Sequence, residues 1–152
     1  MKDSVINIYQ IFTRLFANAN ETNKEFGSIR ENGCSKFSNV TSLALSEIKK
    51  MGVTHVWYTG VIRHASCTSY AKNGLSADNP QVVKGQAGSP YAIKDYYDVD
   101  PDLATNVKSR MKEFEAMLDR THKAGLKAII DFVPTHVSRE YHSANLPSAC
   151  ID

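Results

Sequence analysis

Two side chains that could do chemistry lie at the end of an apolar segment in the last quarter of this 152-residue sequence. The segment spans residues 126–133 and includes Asp131, and His136 follows it after Pro134 and Thr135. A carboxylate accepts hydrogen bonds, and an imidazole can donate or accept them. Active sites of parallel α/β folds lie at the C-terminal ends of the strands. The pattern therefore predicts a functional site at this strand end. In the alternative interpretation, Asp131 caps a turn and His136 is an ordinary loop residue.

Residues 131–136 resemble the D-x-V-x-N-H signature at the end of the third barrel strand in the α-amylase family of glycoside hydrolases (family 13), with Thr135 in the Asn position. Three more segments are similar to segments of this family and follow the same order. They are residues 5–12 (first strand), 45–58 (first helix and second strand) and 89–101 (the segment before the second helix). The resemblance covers nearly the whole chain and implies the N-terminal part of a catalytic (β/α)₈ barrel.

The same resemblance assigns roles to three residues. Tyr91 would stack its ring on the sugar at the cleavage position, because the CH-rich face of a sugar packs well on an aromatic ring. His136 would hydrogen-bond a sugar hydroxyl, and Asp131 would support the site by facing an arginine of the next strand. Alternatively, Tyr91 only anchors its loop. Without a partner, a buried Asp131 carboxylate would carry a desolvation penalty of several kcal/mol or take up a proton.

Catalytic residues are not expected within this chain. Retaining glycoside hydrolysis needs a nucleophile and an acid/base whose carboxyl groups lie about 5 Å apart. The resemblance places these two residues on the fourth and fifth strands, and a third acidic residue after the seventh, beyond the three strands predicted here. We therefore expect that the chain alone lacks hydrolytic activity.

No metal and no cofactor is predicted. Thr135 occupies the place of an Asn that in many family members supplies a carbonyl oxygen to a structural calcium ion, and a hydroxyl is a weaker ligand for a hard cation. The sequence has no acidic D-x-D-x-D-G loop that would compensate for this change.

Three strands must position the candidate site. Dense apolar runs predict them near residues 5–12, 53–61 and 126–133, and the first run is apolar enough to predict burial on both faces. Residues 62–101 form a long loop with little periodicity, and such loops inside compact domains are normally functional. The predicted fold class is α/β with the order β-α-β-α-β. Residues 1–152 would form one incomplete portion of a TIM (β/α)₈ barrel, since a whole barrel needs about 250 residues.

Two helices connect these strands. Apolar residues at helical spacing predict the first after an N-cap at Ser38 or Asn39 and the second after an N-cap at Thr105 or Asn106. Both crossovers should be right-handed, which places the two helices on the same face of the sheet.

Composition excludes several classes of function. The 42% hydrophobic and 22% charged residues are typical of a globular protein, and a net charge of +2 without a basic stripe argues against nucleic-acid or membrane partners. Cys34, Cys67 and Cys150 cannot all pair, so we interpret them as free thiols. Because the N-terminus lacks an apolar signal region, we expect a cytoplasmic protein.

The sequence thus predicts a portion of an α-amylase-family glycoside hydrolase that acts on α-glucosidic linkages, with an α-glucan or malto-oligosaccharide as partner in a full-length form. The alternative is a self-standing, non-catalytic α/β module that binds carbohydrate or a partner protein. A different (β/α) enzyme is less favoured, because the segments around Tyr91 and His136 follow the order of the family. Uncovered barrel edges also predict self-association of the isolated chain.

Overall fold

The computed structural model of the chain describes residues 5–144 and contains a three-stranded sheet with helices packed on one face. The strands, in chain order, are β1 (Ile8–Phe12), β2 (His55–Thr59), β3 (Ile62–His64), β4 (Ile93–Val99) and β5 (Lys127–Ile130). The helices are α1 (Ile29–Asn32), α2 (Ser42–Lys50) and α3 (Arg110–Lys123), and 3₁₀ turns lie at Phe37–Asn39, Ala71–Asn73, Pro101–Leu103 and Val107–Ser109.

The main sheet is parallel and has the order β1-β2-β5. These three strands lie within the three segments that the apolar runs predict. Phe12 pairs with Thr59, and Tyr58 pairs with Ile130. The C-terminal ends of all three strands therefore lie side by side, which is the arrangement that brings the residues following them together.

One face of the sheet packs against α2 and α3. Alternate strand residues point to this face, as the period of two in a strand requires. The hydroxyl groups of Tyr58 and Thr121 lie 2.6 Å apart and join β2 to α3 across the core. The buried apolar core consists of Ile11, Phe37, Val40, Leu45, Ile48, Val53, Val56, Tyr58, Val61, Val99, Leu103, Met117 and Leu126.

The opposite face of the sheet is open, so the predicted burial of the first strand on both faces is wrong for the part of the chain that the structure describes. Ile11 is buried, but Ile8 and Phe12, which point the other way, are 53% and 40% exposed. The described helices cover the other face only. In a complete barrel the open face would point to the interior, where side chains of further strands fill the space.

The predicted long loop contains a second, antiparallel sheet made of β3 and β4. The predicted order of elements misses this hairpin because its buried residues are charged. Lys94, Asp95 and Asp98 on β4 and Arg63 on β3 are all buried. Apolar periodicity cannot reveal a strand whose buried side chains are satisfied by ion pairs instead of apolar contacts.

Helix α2 begins later than the sequence predicts. Its N-cap is Thr41, whose hydroxyl oxygen accepts a 3.2 Å hydrogen bond from the backbone N–H of Ala44. Ser38 and Asn39, the predicted caps, belong to the preceding 3₁₀ turn Phe37–Asn39. Several polar residues precede the apolar residues of α2. The first of these polar residues lie in the 3₁₀ turn and do not cap the helix.

A similar turn delays the start of α3. Asn106, one of the two predicted caps, accepts a hydrogen bond from the N–H of Lys108 and so caps the 3₁₀ turn Val107–Ser109, which leads into the helix. Glu113 reaches back from the first turn of α3 and accepts from the backbone N–H groups of Thr105 and Asn106, at 2.8 and 2.7 Å. The carboxylate satisfies donors that a helix start leaves without partners.

No helix among residues 5–144 is long and apolar enough to cross a membrane. Cys34 and Cys67 are unpaired thiols. Cys150, the third thiol, lies outside the described residues.

Candidate functional site

Asp131 lies directly after β5 and is half-buried among residues from the end of β2. Its Oδ1 accepts a 2.7 Å hydrogen bond from the indole Nε1–H of Trp57, and its Oδ2 accepts a 3.1 Å hydrogen bond from the backbone N–H of Gly60. Each carboxylate oxygen therefore has a donor within this chain. The hydrogen bonds that the resemblance would assign to an arginine of a following strand come here from Trp57 on β2 and from Gly60 directly after β2.

Gly60 joins three segments at this end of the sheet. Its φ angle is +78°, a conformation that favours glycine. A Cβ atom at this position would lie 3.1 Å from Cβ of Pro90 and 3.3 Å from Cε2 of Phe12. The backbone of Gly60 thus lies between the end of β1, the Asp131 carboxylate and the segment that carries Tyr91.

Tyr91 follows Pro90 on the surface, and its side chain and backbone together are 44% exposed. The hydroxyl oxygen of Ser89 accepts a 3.3 Å hydrogen bond from the backbone N–H of Tyr91, which fixes the turn before the ring. Tyr91 lines an open cleft of about 670 Å³ together with Phe26, Lys84, Gly85, Gly88, Ser89 and Pro90. The ring is therefore available to a ligand instead of being committed to the core.

His136 is exposed and lies in the segment after β5, six residues beyond the end of that strand. Its Nδ1 lies 3.1 Å from the hydroxyl oxygen of Thr135. The backbone around it is held by Tyr96 on β4, whose hydroxyl donates to the carbonyl oxygen of Val133 and lies 3.5 Å from the carbonyl oxygen of His136. The hairpin thus positions the backbone of this segment, while the imidazole remains in solvent.

The structure connects one predicted site residue to the segment that carries another. Asp131 is linked to the Tyr91 segment through Gly60 and Pro90. No hydrogen bond among residues 5–144 joins Tyr91, Asp131 and His136 directly to one another. The roles that the resemblance assigns to these three residues remain predictions.

Buried ion pairs hold the β3–β4 hairpin in position. Arg110 at the start of α3 donates from Nε and from its terminal nitrogen to the two oxygens of Asp98, at 2.6 and 2.8 Å, and Arg63 lies 3.5 Å from the same carboxylate. Lys94 pairs with Asp78 in the long loop. Ion pairs with two parallel hydrogen bonds fix geometry as well as charge, so these contacts set the position of β4.

Asp95 connects β4 to the last residues that the structure describes. Its Oδ1 accepts a 2.8 Å hydrogen bond from the hydroxyl of Ser143, and its Oδ2 accepts a 3.0 Å hydrogen bond from the backbone N–H of Ala144. The backbone N–H of Ser138 also donates to the carbonyl oxygen of Ile93 at 2.7 Å. The segment that includes His136 is therefore tied to β4 along much of its length.

A second buried group of charges surrounds Asp102. Its carboxylate accepts hydrogen bonds from Arg14, from the hydroxyl of Tyr70 at 2.7 Å and from the hydroxyl of Thr68 at 3.3 Å. Burial, with a further contribution from the nearby charge of Asp102, raises the pKa of Tyr70 above its ordinary value. These contacts join the loop after β1 to the long loop, and no periodic signal in the sequence predicts them.

Asp100 lies beside this group and is the least satisfied carboxylate in it. Its Oδ1 accepts from the N–H of Asp102, but its buried Oδ2 has no hydrogen-bond partner and lies 3.7 Å from Arg14 and 3.8 Å from His64. Burial raises the pKa of Asp100, and the Asp102 charge adds to this rise against the opposing effect of His64 and Arg14.

Three or more His, Cys, Asp or Glu side chains arranged to hold a metal ion do not occur among the described residues. The hydroxyl oxygen of Thr135, the residue that the resemblance aligns with an Asn, lies 3.1 Å from Nδ1 of His136.

The sequence alone does not identify Gly60 or the buried ionic residues as parts of the site. The sequence pattern places Trp57 near the end of the second predicted strand and does not indicate its contact with Asp131. A Gly placed immediately after an apolar strand is the available signal for Gly60, because strand-end turns often need a positive φ angle. For the ionic residues the corresponding signal is the set of charged residues in β4, but a single sequence does not distinguish them from the charges of a solvated loop.

A family model described as "Alpha amylase, catalytic domain" matches residues 10–146 of the chain. Among relatives, a cyclomaltodextrin glucanotransferase of Bacillus sp. (strain 1011) is 26% identical in an alignment of 140 residues that covers 86% of this chain and 18% of the relative. Maltase A1 of Drosophila melanogaster is 28% identical over 134 residues, 88% of this chain and 17% of the relative. The chain therefore spans less than a fifth of the length of either relative.

Among solved structures, trehalose-6-phosphate hydrolase of Bacillus licheniformis matches with a TM-score of 0.56 and 24% sequence identity over 91% of this chain and 18% of that one. This likeness shows a shared fold. The described elements are part of a TIM barrel with α/β content, and they do not close into a barrel. The match to a catalytic domain does not favour the alternative of a self-standing binding module.

Proposed function

Because this chain belongs to the α-amylase family of glycoside hydrolases, we propose that it supplies part of the sugar-binding floor of an enzyme that acts on α-glucosidic linkages in α-glucans or malto-oligosaccharides. The relatives' names support this substrate class, since they include a maltase and a cyclomaltodextrin glucanotransferase.

The junction at Gly60 carries the proposal. It links the Asp131 carboxylate after β5 to Pro90, which precedes Tyr91, at the C-terminal ends of the parallel strands. These strand ends are where active sites of (β/α) barrels lie. At these strand ends, two groups form a rigid part of a sugar-binding site. One is a carboxylate whose hydrogen-bond donors are fixed, and the other is an exposed aromatic ring.

Each residue has a distinct role in this proposal. Tyr91 stacks on the apolar face of a glucose ring, and its 44% exposure leaves the ring free to do so. His136 hydrogen-bonds a sugar hydroxyl with Nε2, because Thr135 faces Nδ1. Asp131 supports the site through Trp57 and Gly60 and does not attack the substrate.

Bond cleavage requires groups that these residues do not supply. A retaining glycosidase uses two carboxyl groups about 5 Å apart on either side of the scissile bond. The chemistry proposed for this chain is therefore binding and orientation, and hydrolysis would depend on the carboxylates that the family carries on later strands. We propose that the chain alone has no hydrolytic activity.

The single tryptophan of the sequence provides the experiment. Trp57 donates its indole N–H to Asp131, so its fluorescence should respond to a sugar bound at this strand end. Titration with maltotriose should give a saturable change that cellobiose, a β-linked sugar, does not give. Tyr91→Ala and His136→Ala should weaken binding, whereas Leu43→Ala, on the outer side of α2, should not.

A chromogenic maltoside tests the second part of the proposal. Incubation with the purified chain should give no turnover above that of a mock purification. Absence of maltotriose binding would refute the sugar-binding role, and turnover that disappears when a residue of this chain is changed would refute the proposed inactivity.

A further inference from the structure

The cleft beside Tyr91 has a second aromatic wall. Phe26, in the loop after β1, is 70% exposed and lines the same cleft of about 670 Å³. Clefts that bind small molecules have volumes of about 300–1,000 Å³. The remaining walls are Lys84, Ser89, Pro90 and two glycines, so the space combines aromatic surface with hydrogen-bonding groups and is not a purely apolar groove.

The backbone of Phe26 has a conformation that a phenylalanine rarely adopts. Its φ angle is +53°. It is the third residue of a turn in which the N–H of Gly27 donates a 2.9 Å hydrogen bond to the carbonyl oxygen of Lys24. Glycine or asparagine is favoured at a turn position with positive φ. An exposed aromatic residue there is locally unfavourable, and its ring gains no core contacts in return.

The turn is nevertheless held firmly. The side chain of Asn32 in α1 accepts from the N–H of Lys24 and donates to the carbonyl oxygen of the same residue, both at 2.8 Å. Lys24 also pairs with Glu31 through its ammonium group. A Cβ at Gly27 would lie 2.5 Å from Asn32, so the turn and the helix are in close contact. The ring of Phe26 is therefore presented to the cleft by a braced turn, and presentation in a fixed geometry lowers the entropy lost on binding.

We infer that Phe26 is a second sugar-stacking platform, which binds a glucose unit next to the one on Tyr91. This inference rests on the proposed function and extends it to a longer substrate. Both rings offer faces that suit the CH-rich side of a pyranose. The ammonium of Lys84 and the hydroxyl of Ser89 can donate hydrogen bonds to hydroxyl groups at the rim of the same cleft. The strained backbone of Phe26 is explained by ligand binding, since strained positions persist where function requires them.

Three variants of the full 152-residue chain separate a binding role from a structural one. Phe26→Gly removes the ring but suits the backbone conformation, so the midpoint of thermal unfolding should stay unchanged or rise. Phe26→Tyr retains an aromatic face and leaves Trp57 the single tryptophan. Leu43→Ala, at a position 72% exposed on α2, controls for loss of an exposed apolar side chain elsewhere.

Affinities for glucose and maltohexaose, measured by Trp57 fluorescence and by aromatic NMR signals, give the readout. The wild type should prefer maltohexaose, and Phe26→Gly should weaken maltohexaose binding by about three- to tenfold while leaving the binding of glucose, which occupies the Tyr91 position alone, unchanged. Phe26→Tyr should retain the preference, and Tyr91→Ala should weaken the binding of both sugars.

The outcomes distinguish the inference from the function on which it rests. Binding of maltohexaose by Phe26→Gly with wild-type affinity would overturn the role of Phe26 alone, as would an equal loss for both sugars together with a lower unfolding midpoint. If the wild type binds neither sugar, the proposed function falls and the platform falls with it.

Discussion

The indole Nε1–H of Trp57 donates a 2.7 Å hydrogen bond to Oδ1 of Asp131. This contact crosses from β2 to the residue after β5 on the open face of the sheet. A hydrogen bond to a charged acceptor is worth about 1.5–3 kcal/mol, roughly twice a neutral one. The contact thus holds the carboxylate in place within the three-stranded sheet.

We predict that Trp57→Phe lowers the free energy of unfolding by about 2 kcal/mol, because Oδ1 of Asp131 loses its donor. Tyr58→Phe is the matched control on the same strand, since it removes a hydrogen bond between the neutral hydroxyls of Tyr58 and Thr121. Its cost should be about 1 kcal/mol. Urea denaturation followed by circular dichroism measures both, and equal costs would show that the charge of Asp131 does not strengthen the Trp57 contact.

The parallel part of the fold could be predicted because its signals are local and apolar. Residues 126–133 contain β5 and, directly after this strand, the Asp131 carboxylate. The hairpin of β3 and β4 could not be predicted in the same way. Its buried residues, such as Asp98, are stabilised by Arg110 more than ten residues away in sequence, and a single sequence does not reveal such pairs.

The candidate site shows the same division. Tyr91, Asp131 and His136 were identified because the order of their segments resembles a family, and no distance between them follows from that resemblance. The contact between Gly60 and Pro90 depends on how the long loop folds back over β2. Loop closure of this kind is decided by tertiary contacts, which explains why Gly60 was missed.

A second prediction concerns the close approach at Gly60. Gly60→Ala places a methyl group 3.1 Å from Pro90 and 3.3 Å from Phe12 at a φ angle of +78°. We expect a loss of about 2–4 kcal/mol in the free energy of unfolding, together with weaker binding of malto-oligosaccharides, since both neighbours must shift.

Gly74→Ala is the matched control for this variant. Gly74 has a φ angle of +76°, but a Cβ there would meet nothing within 4 Å. Gly74→Ala should lower the free energy of unfolding only by the cost of the left-handed backbone conformation, about 1–2 kcal/mol. Sugar binding should stay unchanged. Equal destabilisation by the two variants would contradict a special role for the approach of Gly60 to Pro90.

A third prediction follows from the buried Asp100 carboxylate. Burial raises the pKa of Asp100 above its ordinary value of 3.8. Its contribution to stability is therefore fully present below pH 3.8 and is lost as the pH rises through the raised value, because the fold favours the neutral form. Asp100→Asn keeps this position neutral at every pH. It should raise the urea midpoint at pH 7.5 and have little effect near pH 3.5.

Asp98→Asn provides the opposite case. Asp98 accepts two hydrogen bonds from Arg110, and its charge is compensated. Its replacement should lower the urea midpoint at pH 7.5, since an arginine is left without its partner. If Asp100→Asn were also destabilising at pH 7.5, the interaction of Asp100 with His64 and Arg14 would outweigh the cost of its burial.

The last prediction concerns the edges of the main sheet. Within residues 5–144, β1 and β5 each pair with β2 alone, so each has one edge whose N–H and C=O groups face no other strand. Ile130 on β5 is 42% exposed, and Ile8 on β1 is 53% exposed. An exposed edge with apolar side chains is a template for pairing with another copy of the chain. We expect concentration-dependent association of the isolated chain in sedimentation velocity experiments.

Ile130→Lys should reduce this association, because a charged side chain at an edge strand opposes pairing between chains. Leu43→Lys adds the same charge at a position 72% exposed on α2, away from the sheet edges, and so controls for the change in net charge. The association should persist in Leu43→Lys. A monomeric wild-type chain with a cooperative unfolding transition would contradict the prediction and would indicate that the open face and both edges are stable in water without a partner.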